Sequence, residues 1–262
     1  MKIWTVANQK GGVGKTTSVV TLGGLLAEKK QRVLLIDCDP HASLTSYLGY
    51  DCDAFDYTLY NVFEEAPKTR ADIPSKLIQP TEFENLSLIS SSLALATLDK
   101  RFSQRPGMGL IIKQLTQALA DEYDYVLLDC PPILGVLLIN ALAACEQLVI
   151  PVQTEFLAIK GLDRMMQTLN MVIKAQHHNL HHVIVPTMFD RRTKASVKSL
   201  RKLRDDYEGQ LWPRVIPVDT KFRDASQAHT PPHILFSESH GVEAYRKLLK
   251  DLMNHSVAEK VA

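Results

Sequence analysis

Lys2–Asn8, KIWTVAN, followed by Gln9–Thr17, QKGGVGKTT, is the stretch whose reading decides the fold. An apolar run enters a glycine-rich loop that ends in Gly14-Lys15-Thr16. A helix follows from about Thr16 to Lys29, with Val19, Val20, Leu22, Leu25 and Leu26 as its apolar residues. Strand, glycine turn, Lys-Thr and helix in that order make a phosphate-binding loop. Glycines let the backbone N–H groups curl towards phosphate oxygens, and the positive end of the helix adds to them. A purely structural glycine turn does not need the Lys-Thr pair. The expected phosphate contacts are Gly11, Gly12, Val13, Gly14, Lys15, Thr16 and Thr17, with Lys15 on the β- and γ-phosphates and the Thr16 hydroxyl on Mg²⁺. The usual spacing, G-x-x-x-x-G-K-[ST], puts a glycine at position 9. Gln9 stands there instead, and Lys10 follows it, a second lysine that one phosphate loop does not require.

Working outward, VLLIDCDP closes an apolar strand with Asp37 and Asp39, and YVLLD (Tyr125–Asp129) closes another with Asp129. A carboxylate at the end of a buried strand is costly unless it has a partner or a cation. Three of them beside a phosphate loop match a nucleoside triphosphate site, which needs acids for Mg²⁺ and for the attacking water. Further strands are LSLIS (Leu86–Ser90), LVIPV (Leu148–Val152) and HVIVPT (His182–Thr187). Helical periods cover about Gly109–Ala120, Leu157–Ala175 and the terminal GVEAYRKLLKDLM. Alternating helices and nearly all-apolar strands predict an α/β fold, a mostly parallel twisted sheet with helices on both faces. Asp51–Arg105 reads as loops and short helices beside the sheet, and the whole chain, 1–262, as one P-loop nucleotide-binding domain. Pro131-Pro132 and the GVLLIN beyond them read as a rigid turn into a movable segment.

The 262 residues carry 30 Lys and Arg against 29 Asp and Glu, a formal net charge of +1. That balance exerts no global pull on nucleic acid, so any such contact must come from a local patch. The four cysteines form no C-x-x-C pair and read as reduced structural thiols of a cytoplasmic protein. The N-terminus lacks the apolar stretch and cleavage pattern of a signal peptide. No run approaches the ~20 apolar residues of a spanning helix, so a soluble protein without direct membrane insertion is expected.

KGGVGKTT, LLIDCDPHAS and LLDCPPILG, together with TMFDRRT and IPVDTKFRDAS, resemble the deviant-Walker ATPases of the ParA/Soj partition and MinD positioning family. The likeness runs over nearly the whole chain, with the motifs in order. It implies ATP/ADP and Mg²⁺ as cofactors and a homodimer closed by ATP. Lys10 matches the signature lysine, which contacts the phosphates held by the other subunit, as an arginine finger does. The resemblance makes Lys15 the phosphate cation and Asp39 the acid that positions the hydrolytic water. Thr16, Asp37 and Asp129 support Mg²⁺, and Met188, Pro217 and Asp219 lie near the adenine. TEFLAIKGLDRM, PILGVLLINALAA and DTKFRDAS look most like the ParA-like proteins of chemotaxis operons (ParC). Those position chemoreceptor arrays, commonly at a cell pole, with a dedicated partner. A ParB-like, centromere-binding partner on the nucleoid is the alternative activator.

RRTKASVKSLRKLR places Lys194, Lys198, Arg201 and Lys202 on one side of a helix, with Arg204 beyond. A solvated helix face explains this, and so does non-specific DNA binding, which the resemblance implies and which Lys221 and Arg223 would extend. HHNLHH (His177–His182) has the i, i+4 spacing of a metal site, but Asn179 and the strand that follows favour a helix-to-strand connection. The stripe from Tyr245 reads as core packing. A metabolic ATP-dependent ligase or synthase, an iron–sulfur carrier and a non-hydrolysing scaffold are the rival classes.

Overall fold

The computed structural model describes residues 1–102, 107–176 and 180–258. Among them, β1 (Lys2–Val6), β2 (Val33–Asp37), β3 (Ile78–Pro80), β4 (Leu86–Ile89), β5 (Tyr125–Asp129), β6 (Gln147–Gln153) and β7 (His181–Thr187) form one sheet, in the order β3-β4-β2-β5-β1-β6-β7. Only the β3–β4 pair at the edge is antiparallel. The helices are α1 (Lys15–Glu28), α2 (Ser43–Tyr47), α3 (Leu59–Glu65), α4 (Leu98–Phe102), α5 (Ile111–Ala118), α6 (Val136–Ala144), α7 (Phe156–Gln176), α8 (Lys194–Asp206), α9 (Lys221–Gln227), α10 (Pro232–Leu235) and α11 (His240–Ala258).

The strands read as continuous apolar runs because both of their faces are covered. Leu34, Ile36, Val126 and Leu128 pack under α5, α6 and α7. Their neighbours Val33, Leu35 and Leu127 point the other way, under α1 and α11. This is the two-residue period of a strand, with each face filling its own core. Each fully buried Leu or Ile contributes roughly 1.5–3 kcal/mol by leaving water. Tyr245, Leu248, Leu249 and Leu252 are all buried against α1, so the terminal stripe is core packing as expected. The Ser18 hydroxyl and the Tyr245 hydroxyl, 2.7 Å apart, tie α11 to the helix of the phosphate loop. No helix among the described residues is long and apolar enough to cross a membrane.

One element departs from the sequence reading. GVLLIN, read as leading into a movable segment, starts α6, which is buried along most of its length. A helix that is apolar nearly all round shows no 3.6-residue stripe, which hides it from periodicity. Its one polar interior residue, Asn140, is fully satisfied in the core: its amide donates to the Met108 and Val136 carbonyls and accepts from the Ile112 N–H. Residues 51–102 hold short helices, as expected, but also the edge strand β3. His177, His178 and Asn179 lie outside the described residues. His182 sits in β7 and bonds to Gln210 at 3.0 Å, so it belongs to a strand and not to a helical pair.

Candidate functional site

The phosphate loop leaves β1 and turns into α1 at Gly14, whose φ of 92° lies in the left-handed region open to glycine. Val13 is fully buried, and its carbonyl accepts a bond from the Thr187 hydroxyl at 2.9 Å, which pins the loop to the end of β7. On the other side, the Gln9 amide donates to Thr168 on α7 at 2.6 Å. A Cβ at Gly161 would lie 2.9 Å from the Lys10 Cβ, so Lys10 is seated directly against the small residue of that helix. Gln9, which breaks the usual glycine position, is thus an anchor. Lys15 is only 8% exposed, and its ammonium caps the Lys10 carbonyl at 3.3 Å. Burial pulls the Lys15 ammonium below its ordinary value, and the charges of Asp129 and Asp39 oppose that shift.

The sheet register brings the acids together: Asp37 pairs with Asp129, and Asp129 with Val6, just before the loop. The Thr16 hydroxyl donates to Asp129 Oδ2 at 2.6 Å. Asp129 Oδ1 is buried with no partner among the described residues. Burial, then the neighbouring Asp37 charge, hold Asp129 well above the usual carboxylate range. A buried, half-satisfied carboxylate beside a hydroxyl suits a hard cation with oxygen ligands. Asp37 is also raised, first by burial, but its carboxylate already accepts from the Thr45 N–H and hydroxyl, both at 2.8 Å, and from the Asp39 N–H at 3.1 Å. It organises the turn after β2, whereas Asp129 keeps one buried oxygen without any partner among the described residues. Asp39 lies in that turn, its carbonyl held by the Ser91 hydroxyl at 2.5 Å and its carboxylate by His41.

Met188, with φ of 51°, reaches to 3.9 Å of a Cβ built on Gly14. Phe189 bridges to Pro217, which brings the 217–219 turn beside Met188. Asp219 spends its carboxylate on the N–H groups of Lys221 and Gly241, both at 3.0 Å, and shapes that turn. Among the candidate DNA contacts, Lys194, Lys198, Arg201, Lys202 and Arg204 all project from α8 into solvent. Lys202 is paired with Asp206 at 2.7 Å, whereas the other four form no ion pair among the described residues. Lys221 is taken up by Asp224 and by the Phe236 ring. Arg201 and Arg204 join Arg214 and Lys247 round a groove of about 550 Å³ floored by Trp212 and Phe189. Sequence reasoning missed Thr45, Ser91, Thr187 and His41, which hold the loop and the acids. Of these, His41 stands in the quoted motif LLIDCDPHAS and Thr187 in HVIVPT and TMFDRRT, but nothing in those motifs gives either a role.

Fold and site together define a P-loop nucleotide-binding protein whose strand-end acids surround the loop. Residues 1–182 match the family described as AAA domain. The chain is 35% identical to the sporulation initiation inhibitor protein Soj of Bacillus subtilis, covering 96% of this chain and 98% of Soj. It is 31% identical to the chromosome partitioning protein ParA of Myxococcus xanthus, covering 96% and 88%. A crystal structure of cobyrinic acid a,c-diamide synthase from Mycobacterium smegmatis, with bound ADP and magnesium, superposes with a TM-score of 0.84 at 31% identity, covering 98% of this chain and 96% of that one. The chain belongs to the ParA/Soj-type family of P-loop ATPases.

Proposed function

We propose that this chain is a Mg²⁺-dependent ATPase that closes into a homodimer on ATP and positions cellular cargo, with slow hydrolysis quickened by a protein partner. The observation that carries this reading is the Thr16–Asp129 bond at 2.6 Å beside the buried Lys15, with the second Asp129 oxygen unpartnered among the described residues. Lys15 neutralises the phosphates. Thr16 and Asp129 would hold Mg²⁺, with Asp37 behind them, and the bound ion supplies charge neutralisation at the phosphates. Asp39 orients the attacking water. Lys10 adds its charge to the phosphates of the opposite subunit, which makes the dimer depend on ATP. Met188 and the Pro217–Asp219 turn border the adenine.

Chemoreceptor arrays at a cell pole are the cargo suggested by the likeness of α6, α7 and α9 to the chemotaxis-associated group. DNA on the nucleoid, with a ParB-like partner, is favoured by the names of the Soj and ParA relatives. A fluorescent fusion separates the two, as polar foci or a nucleoid haze. The similarity to a diamide synthase favours a metabolic enzyme as a second reading. That reading predicts steady ATP turnover only with a small amide-accepting substrate, without a dimer that forms on ATP. An iron–sulfur carrier fits poorly, because Cys38, Cys130 and Cys145 are all buried, and burial raises their thiols.

The test pairs two variants. Lys15→Ala should lose ATP binding in calorimetry, because the loop loses its phosphate cation. Asp39→Ala should bind ATP normally and turn over ~10²–10⁴-fold more slowly, as when a group that acts on the transferred proton is removed. Normal affinity in Lys15→Ala, or wild-type turnover in Asp39→Ala, overturns the assignment.

A further inference from the structure

The turn after β2 holds a pairing that the phosphate-site chemistry does not by itself require. Asp39 Oδ1 accepts two hydrogen bonds from one residue, His41: the backbone N–H at 3.0 Å and the ring Nδ1 at 2.8 Å. The Asp39 side chain is 13% exposed and the His41 side chain 77% exposed, so the imidazole covers the acid from the solvent side.

The main chain of Asp39 is held by three hydrogen bonds. Its N–H donates to Asp37 Oδ1 at 3.1 Å, and its carbonyl accepts from the Ser91 hydroxyl at 2.5 Å and the Ala42 N–H at 2.8 Å. What remains free is rotation of the carboxymethyl group. The backbone bond from His41 is a local turn contact that many residues could supply. The ring bond is a second tether on the same oxygen, from a different direction. Two tethers on Oδ1 fix the plane of the carboxylate, and Oδ2 is left without a partner among the described residues. A carboxylate that must accept a proton from a water in one place gains from this, since misplacement by about 1 Å commonly costs ~10²-fold in rate.

We propose that His41 is a positioning residue for hydrolysis: its Nδ1–H fixes the Asp39 carboxylate so that Oδ2 meets the attacking water. This rests on the reading above that Asp39 orients that water. It requires the tautomer with the proton on Nδ1, leaving Nε2 to solvent. No covalent step is added, and His41 itself touches neither water nor nucleotide.

The experiment uses the full chain with four single variants, His41→Ala, His41→Asn, His41→Phe and Asp39→Ala, and the double variant His41→Ala with Asp39→Ala. The Asn side-chain amide carries its N–H at the same distance from Cα as the ring Nδ1, so His41→Asn keeps the donor. His41→Phe keeps a ring and loses the donor. Thermal melts show that each variant folds, which the exposure of His41 favours. Basal kcat and KM for ATP are read at saturating Mg²⁺, with affinity for a non-hydrolysable ATP analogue by calorimetry. His41→Ala and His41→Phe should each lose about tenfold in kcat, the scale of one charge-assisted hydrogen bond, with KM and analogue affinity within about twofold of wild type. His41→Asn should recover most of the loss. His41→Ala combined with Asp39→Ala should be no slower than Asp39→Ala alone. Wild-type kcat in His41→Ala, with Asp39→Ala inactive, overturns the positioning role and leaves Asp39 standing. Equal losses in all three His41 variants overturn it too, because the donor is then irrelevant. Wild-type turnover in Asp39→Ala removes Asp39 from catalysis and the proposal with it.

Discussion

Asp129 is the residue on which stability and function pull in opposite directions. Its carboxyl is 1% exposed, lies beside Asp37 in the register, and has one oxygen unpartnered among the described residues. Burial raises it above the ordinary carboxylate range, so the nucleotide-free protein keeps a proton that the unfolded chain releases. The sign follows from linkage. This stabilising contribution is complete below the unfolded carboxylate range, about pH 4, and is lost as pH climbs towards the raised folded value. Each pH unit of that window costs up to about 1.4 kcal/mol. Wild type should therefore lose melting temperature from pH 5 to pH 8, and Asp129→Asn, which still accepts from Thr16 but cannot ionise, should lose less. Mg²⁺ with ATP should stabilise wild type strongly at pH 8 and the variant little. Scanning calorimetry of both proteins over pH measures this. Parallel pH slopes would mean that Asp129 is not the group being charged.

Elements differ in how openly the sequence announces them. β2 and β5 are legible because each is an apolar run closed by an acid, and the register then aligns Asp37 with Asp129. The phosphate loop is legible because glycine, lysine and threonine answer to local chemistry. α6 is not, since apolar residues on nearly every side erase its period. The clamps on the site are not legible either, because they are tertiary: Thr45 reaches Asp37 across 8 residues, Ser91 reaches Asp39 across 52, and Thr187 reaches Val13 across 174. No spacing rule marks a serine as the partner of a carbonyl that far away. α1 shows the same limit. Gly24 in mid-helix would ordinarily gain about 1 kcal/mol on becoming Ala. Here a Cβ would stand 2.4 Å from the buried His233 ring and 3.0 Å from the Pro231 side chain, so the glycine is what lets the 231–235 segment lie on α1. The clash should outweigh the propensity gain: overpacking costs ~1–3 kcal/mol, so Gly24→Ala should melt several degrees lower. A variant that melts higher would show that α10 gives way freely.

At the scale of the whole molecule, a net charge of +1 leaves no general attraction for nucleic acid, so DNA binding, if the partition reading holds, must come from a local patch, and α8 is the candidate. Lys194, Lys198, Arg201 and Arg204 are exposed and unpaired among the described residues, and Lys202 is already spent on Asp206. One subunit then offers a handful of phosphate contacts, too few for firm binding. A dimer offers two such patches on one body, and linked weak sites gain ~10²–10⁴-fold when both can engage. Each contact releases counterions, so affinity should fall steeply with salt. DNA binding should therefore require the ATP-held dimer, and so require Lys10. Gel retardation and light scattering with a non-hydrolysable analogue check this together. Wild type should shift DNA with the analogue and not with ADP, more weakly at 200 than at 50 mM salt. Lys10→Ala should bind nucleotide yet stay monomeric and fail to shift DNA. Lys198→Glu with Arg201→Glu should dimerise normally and also fail. A Lys10→Ala dimer of normal stability would confine that lysine to its own subunit. DNA retention by the double variant would move the contact off α8. If wild type binds no DNA in any state, the nucleoid reading falls and a protein anchor at the pole takes its place.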